Sequence, residues 1–200
     1  MKKIIILLVC LNLHQLVFSQ VLKEVDAVYP LHEELSAIKK GDQWAFINKE
    51  GEKVIDFRDD LVSSKKDNDY YPMFIEGKCL VKKRIDGEYR FGFINKEGTI
   101  FIKPQYLNAT NYTDGYAMVI KLDTSKMGTN TALGKRMINS KLEEYIIDAS
   151  GNIVKFLDNS RGYIPSTIDT TQVPEFLSKF IAPRMAAVKK SNGKWDVYKF

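Results

Sequence analysis

The sequence predicts an all-β protein of stacked three-stranded β-hairpin repeats. About three full units and a truncated fourth would form an open, twisted solenoid-like or propeller-like array, with one short covering helix near the C-terminus. Three observations predict it. A ten-residue phrase occurs twice, as FINKEGEKVI at 46–55 and FINKEGTIFI at 93–102. A worn third copy, EYIIDASGNIVKF, follows at 144–156. A shorter phrase ending in lysine recurs upstream of each: SAIKK (36–40), CLVKK (79–83), AMVIK (117–121) and AAVKK (186–190).

The N-terminus comes first. Lys2 and Lys3 precede an apolar run from Ile4 to Leu11, and Val17 and Ser19 suit a signal-peptidase site. Residues 1–19 therefore read as a signal peptide cleaved between Ser19 and Gln20, leaving 20–200 as one repeat domain exported to the periplasm or the exterior. The apolar run is too short to span a bilayer. Cys10 is a poor lipoprotein site because Val9 precedes it directly.

Composition then narrows the chemistry. Without Lys2 and Lys3 the chain carries 28 basic and 25 acidic residues, a net charge of +3, too small to argue for nucleic acid. Cys79 and His32 are the single cysteine and histidine after residue 19, so no internal disulfide and no zinc-ligand spacing is expected. HExxH, GxSxG, P-loop and GxGxxG patterns are all missing, and the sequence implies no cofactor and no catalytic set. His32, beside Glu33 and Glu34, reads as a surface histidine.

Each element follows from local chemistry. The lead phrase runs from a small residue through apolar and β-branched positions to lysine, a short strand that begins buried and ends wet. Asn48 to Gly51, Asn95 to Gly98 and Asp148 to Gly151 are turns: the first side chain bonds its own backbone and the glycine takes the left-handed conformation, closing a hairpin with a glycine bulge. Trp44 with Phe46, and Phe91 with Phe93, share one strand face, while Ala45 and Gly92 lie on the other. The fourth copy reaches Gly193-Lys194-Trp195 and stops before its turn. One hairpin cannot bury two apolar faces, so successive units must stack.

This pattern resembles the WG-repeat (KWG-repeat) proteins of bacteria, whose unit reads approximately G-K-W-G-F-I-D-x-x-G-x-x-V-I-x-P-x-Y. The second unit fits best, through Phe91-Gly92-Phe93-Ile94-Asn95, Gly98, Ile102, Pro104 and Tyr106. Trp44 and Trp195 keep the tryptophan, followed by Ala45 and Asp196 for the glycine, and the third unit keeps neither. The resemblance implies a β-repeat architecture used for binding and brings no catalytic residues with it.

Two segments depart from the repeat. Residues 124–141 are polar and read as a long loop. Phe176, Leu177, Phe180 and Ile181 have helical spacing between two prolines, predicting the covering helix at 173–183.

Candidate ligand-binding residues are Lys40, Lys83, Lys121 and Lys190, which hold one place in all four lead strands and could form an anion-binding stripe. Tyr70, Tyr71, Tyr89, Tyr112 and Tyr116 are candidates for stacking on sugars or for packing. Cys79 reads as a buried core thiol. The function expected is a non-catalytic binding or scaffold module for a protein or polysaccharide of the cell envelope, with no nucleic-acid partner and no transmembrane segment after residue 19. The alternative is a glycan hydrolase using a carboxylate pair.

Overall fold

A computed structural model describes residues 22–130, 135–163 and 172–200, with side chains described up to Thr124 and again from Ser140. The expected signal segment 1–19, with its cleavage point at Ser19 and Gln20, lies outside the described residues. Those residues are all β, in small antiparallel sheets, and contain no helix. Among the described residues no closed barrel is formed.

The first sheet is a meander of β1 (Ala27–Val28), β2 (Ser36–Lys40), β3 (Gln43–Ile47) and β4 (Lys53–Arg58). A two-stranded ribbon follows, β5 (Ser64–Lys66) with β6 (Asp69–Tyr71). The second sheet holds β7 (Cys79–Ile85), β8 (Glu88–Ile94) and β9 (Ile100–Tyr106), and Leu61 bridges to Val81 along its outer edge. The third holds β10 (Asn108–Ala109), β11 (Ala117–Asn130), β12 (Lys135–Ile147) and β13 (Ile153–Phe156), with β14 (Arg161–Gly162) on β12. The fourth holds β15 (Ser178–Ala182), β16 (Met185–Lys189) and β17 (Trp195–Lys199).

The lead strands β2, β7, β11 and β16 therefore each receive a partner on their upstream side, a strand or bridge that the three-stranded unit did not anticipate. In the fourth sheet that partner is β15, and here the structure corrects the predicted helix. The phenylalanines still reach the core, since Phe176 and Phe180 pack on Met118, Ile146 and Val188. The open edge of β16 needs backbone partners, however, and Ser178 pairs with Val188 to supply them. The predicted loop at 124–141 is also corrected. Its described part continues β11 and β12 as one ladder, with Thr124 opposite Ser140 and Asn130 opposite Lys135. Polar composition reports contact with water, whereas a paired strand satisfies its backbone whatever its side chains are.

Two kinds of turn recur. Asn48 Oδ1 accepts hydrogen bonds from Glu50 N at 3.1 Å and Glu52 N at 2.8 Å, and Gly51 has φ 81°. Asp148 does the same for Ser150 N at 2.8 Å and Asn152 N at 2.9 Å, with Gly151 at φ 85°. Asn95 Oδ1 accepts from Thr99 N at 2.9 Å. The second kind stands just before β2, β7 and β11. Glu33 and Glu34, Glu76 and Gly77, and Asp114 and Gly115 all have positive φ, which makes three two-residue type I′ turns.

Both turn types contact the neighbouring sheet. The Glu33 carboxylate accepts from Glu76 N at 2.5 Å and Gly77 N at 2.8 Å, and Glu76 Oε2 accepts from Gly115 N at 2.8 Å. A methyl group on Gly98 would lie 3.3 Å from the Ile55 side chain, and one on Gly151 would lie 2.9 Å from Ile102 Cδ1. Ile55 and Ile102 hold the same place in their phrases, so each glycine turn sits on the isoleucine of the preceding sheet. Phe74 meets Phe46 edge-on at 4.9 Å, and Tyr112 meets Phe93 in the same way at 5.0 Å. The core clusters accordingly straddle neighbours: Phe46 and Ile55 with Phe74 and Cys79, then Phe93 with Tyr112 and Ala117.

The second residue of the W-G dipeptide controls how β4, β9 and β13 meet their partners. A Cβ on Gly92 would fall 2.3 Å from Ile102 O and 2.7 Å from Pro104 N. Between the pairs Phe93–Ile102 and Phe91–Tyr106, β9 carries two residues more than β8. With Ala45 in that place, β4 carries one extra residue between Phe46–Ile55 and Trp44–Arg58. With Tyr145 there, β13 carries none, since Tyr145–Phe156 and Ile146–Lys155 are consecutive pairs. The bulge shrinks as the side chain grows, because a bulged strand folds back over the Cα it faces.

Candidate functional site

Three seams separate the four sheets, and they differ where the downstream end of one sheet meets the lysine end of the next lead strand. At the first seam a cleft of about 550 Å³ is lined by Asp56, Arg58, Asp59, Asp60, Lys83 and Glu97. Arg58 holds Asp60 at 2.5 and 2.8 Å and reaches across to Gly98 O at 3.1 Å. At the second seam only about 10 Å³ remains among Glu88, Leu107, Tyr163 and Pro174. There Tyr163 O–H donates to Glu88 at 2.6 Å, and Asn108 Nδ2 donates to Pro174 O at 2.8 Å. The third seam opens again, to about 670 Å³, lined by Asn159, Ser160, Arg161, Lys189, Lys190 and Ser191 together with Asp158.

Beside that third cleft stands the strongest irregularity in the chain. In register, Lys39 pairs with Trp44, Lys82 with Phe91 and Lys189 with Trp195, and at the same place Ile120 pairs with Glu144. A carboxylate has taken the tryptophan position, and it is fully buried. Its Oε1 accepts from Arg161 Nη2 at 3.0 Å and from Leu177 N at 2.8 Å. Arg161 Nη2 also donates to Glu175 O at 2.9 Å, and the buried Asn159 donates through Nδ2 to Ser178 Oγ at 3.2 Å. Three buried atoms of this cluster, Glu144 Oε2, Asn159 Oδ1 and Arg161 Nε, have no hydrogen-bond partner among the described residues.

The candidate lysines share a register position and little else. Lys40 is exposed opposite Gln43 at the end of β2, and Lys83 lines the first cleft. The Lys121 ammonium lies over the Tyr145 ring at 5.8 Å, and Lys121 pairs in register with Glu143, which the Tyr145 hydroxyl also bonds. Lys190 is held by Asp158 at 3.3 Å and Asp196 at 3.5 Å, and also donates to Asp158 O at 2.6 Å. Two acids thus neutralise Lys190, and its ammonium titrates above the ordinary lysine value because it donates to Tyr198 and Asp158.

Among the candidate aromatics, Tyr71 and Tyr112 are buried packing groups, Tyr89 and Tyr116 are half-buried, and Tyr70 is exposed. Tyr112 O–H donates to the carbonyl of Asp148 in the next glycine turn, at 3.1 Å. Trp44 and Phe91 are buried, whereas Trp195 is exposed beneath the Lys179 ammonium at 4.9 Å. Cys79 is wholly buried, and burial pushes its thiol up to about 12. His32 is half-buried rather than a free surface group, and its Nδ1 donates to Phe74 O at 2.6 Å. Among the described residues no three or more metal-binding side chains gather, and no helix is long and apolar enough to cross a membrane.

Residues 91–123 match the family described as WG containing repeat. The chain carries a WG repeat. The match begins at Phe91 on β8 and ends at Asp123 on β11, so the family's unit takes two strands from one sheet and two from the next. A WG repeat cut in this phase contains a seam, and the contact between Phe93 and Tyr112 lies inside it. No curated protein and no solved structure shows a significant match to the chain.

The Glu144 cluster escaped sequence reasoning, although its signal is present. Counted back from Ile147 as Trp44 is from Ile47, Glu144 occupies the aromatic place. Asn159 and Arg161 carry no such mark, because their roles depend on pairing with distant residues.

Proposed function

We infer that this chain is an exported, non-catalytic repeat protein that serves as a binding or scaffold module for a protein or polysaccharide of the cell envelope. Its sheets form an open, twisted stack, and the basic, then apolar start of the sequence directs it to the periplasm or the exterior. The observation carrying the reading is the division of labour among the residues. The recurrent ones pack sheet on sheet, as Phe46 with Phe74 and Gly98 on Ile55 illustrate, while the seams they create are lined differently. A scaffold that repeats its frame and varies its clefts suits recognition.

The test is affinity capture with residues 20–200 against an envelope extract and a panel of neutral and acidic polysaccharides, at low and moderate salt. A specific, saturable partner is expected. Breakdown of one polymer without retention would instead establish the glycan hydrolase and direct attention to carboxylates such as those of the first cleft.

A further inference from the structure

We propose that the outer face of the fourth sheet is a docking surface for an anionic lipid bilayer. The inference goes beyond the binding-module reading and does not depend on it, because a seam can hold a partner whether or not this face is docked. Register and burial define the face. Trp195 stands opposite Lys189 as Trp44 does opposite Lys39 and Phe91 opposite Lys82, and Val197 stands opposite Ala187 as Phe46 does opposite Ala37 and Phe93 opposite Leu80. In the first two sheets these aromatic side chains are buried in clusters shared with the next sheet. On the fourth sheet Trp195 is 47% exposed and Val197 57% exposed, and the contacts with the third sheet come from the opposite face, through Ala186, Val188 and Tyr198. An apolar place of the repeat is thus uncovered here.

The charges around it select the partner. Residues opposite in register share a face, as do alternate residues of one strand. Lys179 pairs with Ala187 and Lys199 with Met185, so these two and Lys189 surround Trp195 and Val197. All three lysines are exposed, and none forms an ion pair among the described residues. Asp196 pairs with Val188 and so belongs to the other face, which leaves no acid on this one. The Lys179 ammonium lies 4.9 Å from the Trp195 ring centre, bringing cation and aromatic together. An anionic bilayer matches both, since its phosphates accept from the ammonium groups while Trp195 and Val197 enter the headgroup boundary. Sugar hydroxyls would need acceptors as well as donors, and these rows hold no side-chain oxygen. A second copy docked by the same face would set lysine against lysine. It would also bury too little, because three five-residue strands present about 250 Å² where a stable interface takes about 800 Å² per partner.

The experiment is sedimentation of the 20–200 protein with vesicles of phosphatidylcholine containing about 30% phosphatidylglycerol, or none, with tryptophan emission recorded in parallel. The chain has two tryptophans and Trp44 is buried, so a change of emission reports Trp195. Partition about a hundredfold stronger onto the anionic vesicles is expected at low salt, with a blue shift of emission, and high salt should reduce it. Lys179→Gln with Lys199→Gln should weaken partition about thirtyfold. Lys49→Gln with Lys65→Gln, an equal loss of charge at exposed positions away from this face, should leave it unchanged. Equal weakening by both pairs would show that net charge alone acts, and overturns the proposal. Partition without a change of emission places the contact elsewhere and also overturns it. So does the absence of partition, or the same blue shift with soluble polygalacturonate or polyglutamate, which would make the face a site for acidic polymers.

Discussion

Gly92 has no room for a methyl group: its Cβ would collide with the backbone of Ile102 and Pro104, which cannot turn aside as a side chain could. Gly92→Ala should cost about 2–3 kcal/mol in urea unfolding, whereas the same exchange in reverse, Ala45→Gly, should cost well under half of that, since β4 already accommodates the methyl. Glu34 presents the opposite case. It holds φ 72° in a turn where the equivalent residues are Gly77 and Gly115. Relieving that left-handed strain with Glu34→Gly should stabilise the chain by about 1 kcal/mol, seen as a rise of about 2–4 °C in Tm. Cys79 should be inert to thiol reagents in the folded protein and react only on unfolding, because burial holds its thiol near 12; rapid native labelling would contradict the buried placement.

At the scale of elements, the type I′ turns form a relay in which an acid of one turn caps amides of the next. Burial alone would raise Glu33, but the amides of Gly77 and Glu76 and the Lys96 ammonium outweigh it and hold the carboxyl below its ordinary 4.5. A depressed acid stabilises the fold above its unfolded value and loses that contribution as pH falls through the folded one. Glu33→Gln should therefore lower the urea midpoint at pH 7, and the gap from wild type should close as pH falls from 4.5 to below the folded value. A gap that is constant with pH would show that the ionised carboxylate is not what links the turns. The glycine-bulge turns are legible in sequence because Asn48 through Gly51 settle their geometry within a few residues. The segment around Phe176 to Ile181 is not, since its spacing suits a helix and only the open edge of β16, contributed by residues further on, makes it a strand. The polar stretch after Thr124 misleads for a related reason, its ladder being satisfied by a partner strand and not by apolar side chains. Seam clefts are harder still. Arg58 reaches Gly98, and Glu144 joins Leu177, across distances in sequence that no local pattern records.

In the proposed binding module, residues repeated along the chain build the frame of the whole molecule and residues that differ between seams do the binding. Ile55 and Ile102 under their glycine turns, and Phe46 and Phe93 against the next aromatic, belong to the frame. Substituting them should destabilise without changing which ligand is recognised. Phe93→Ala should cost about 3–5 kcal/mol, checked by urea unfolding, with the ligand preference of the surviving folded fraction unaltered. In that proposal the cleft of the third seam belongs to the second class. Hydrogen exchange of the 20–200 protein, with and without the partner that capture identifies, tests this division most directly. Protection on binding is expected in a seam, foremost at 158–161 and 189–193, with the turns at Asn48, Asn95 and Asp148 unchanged. Protection confined to those repeated turns would contradict it, because the frame itself would then be the binding surface.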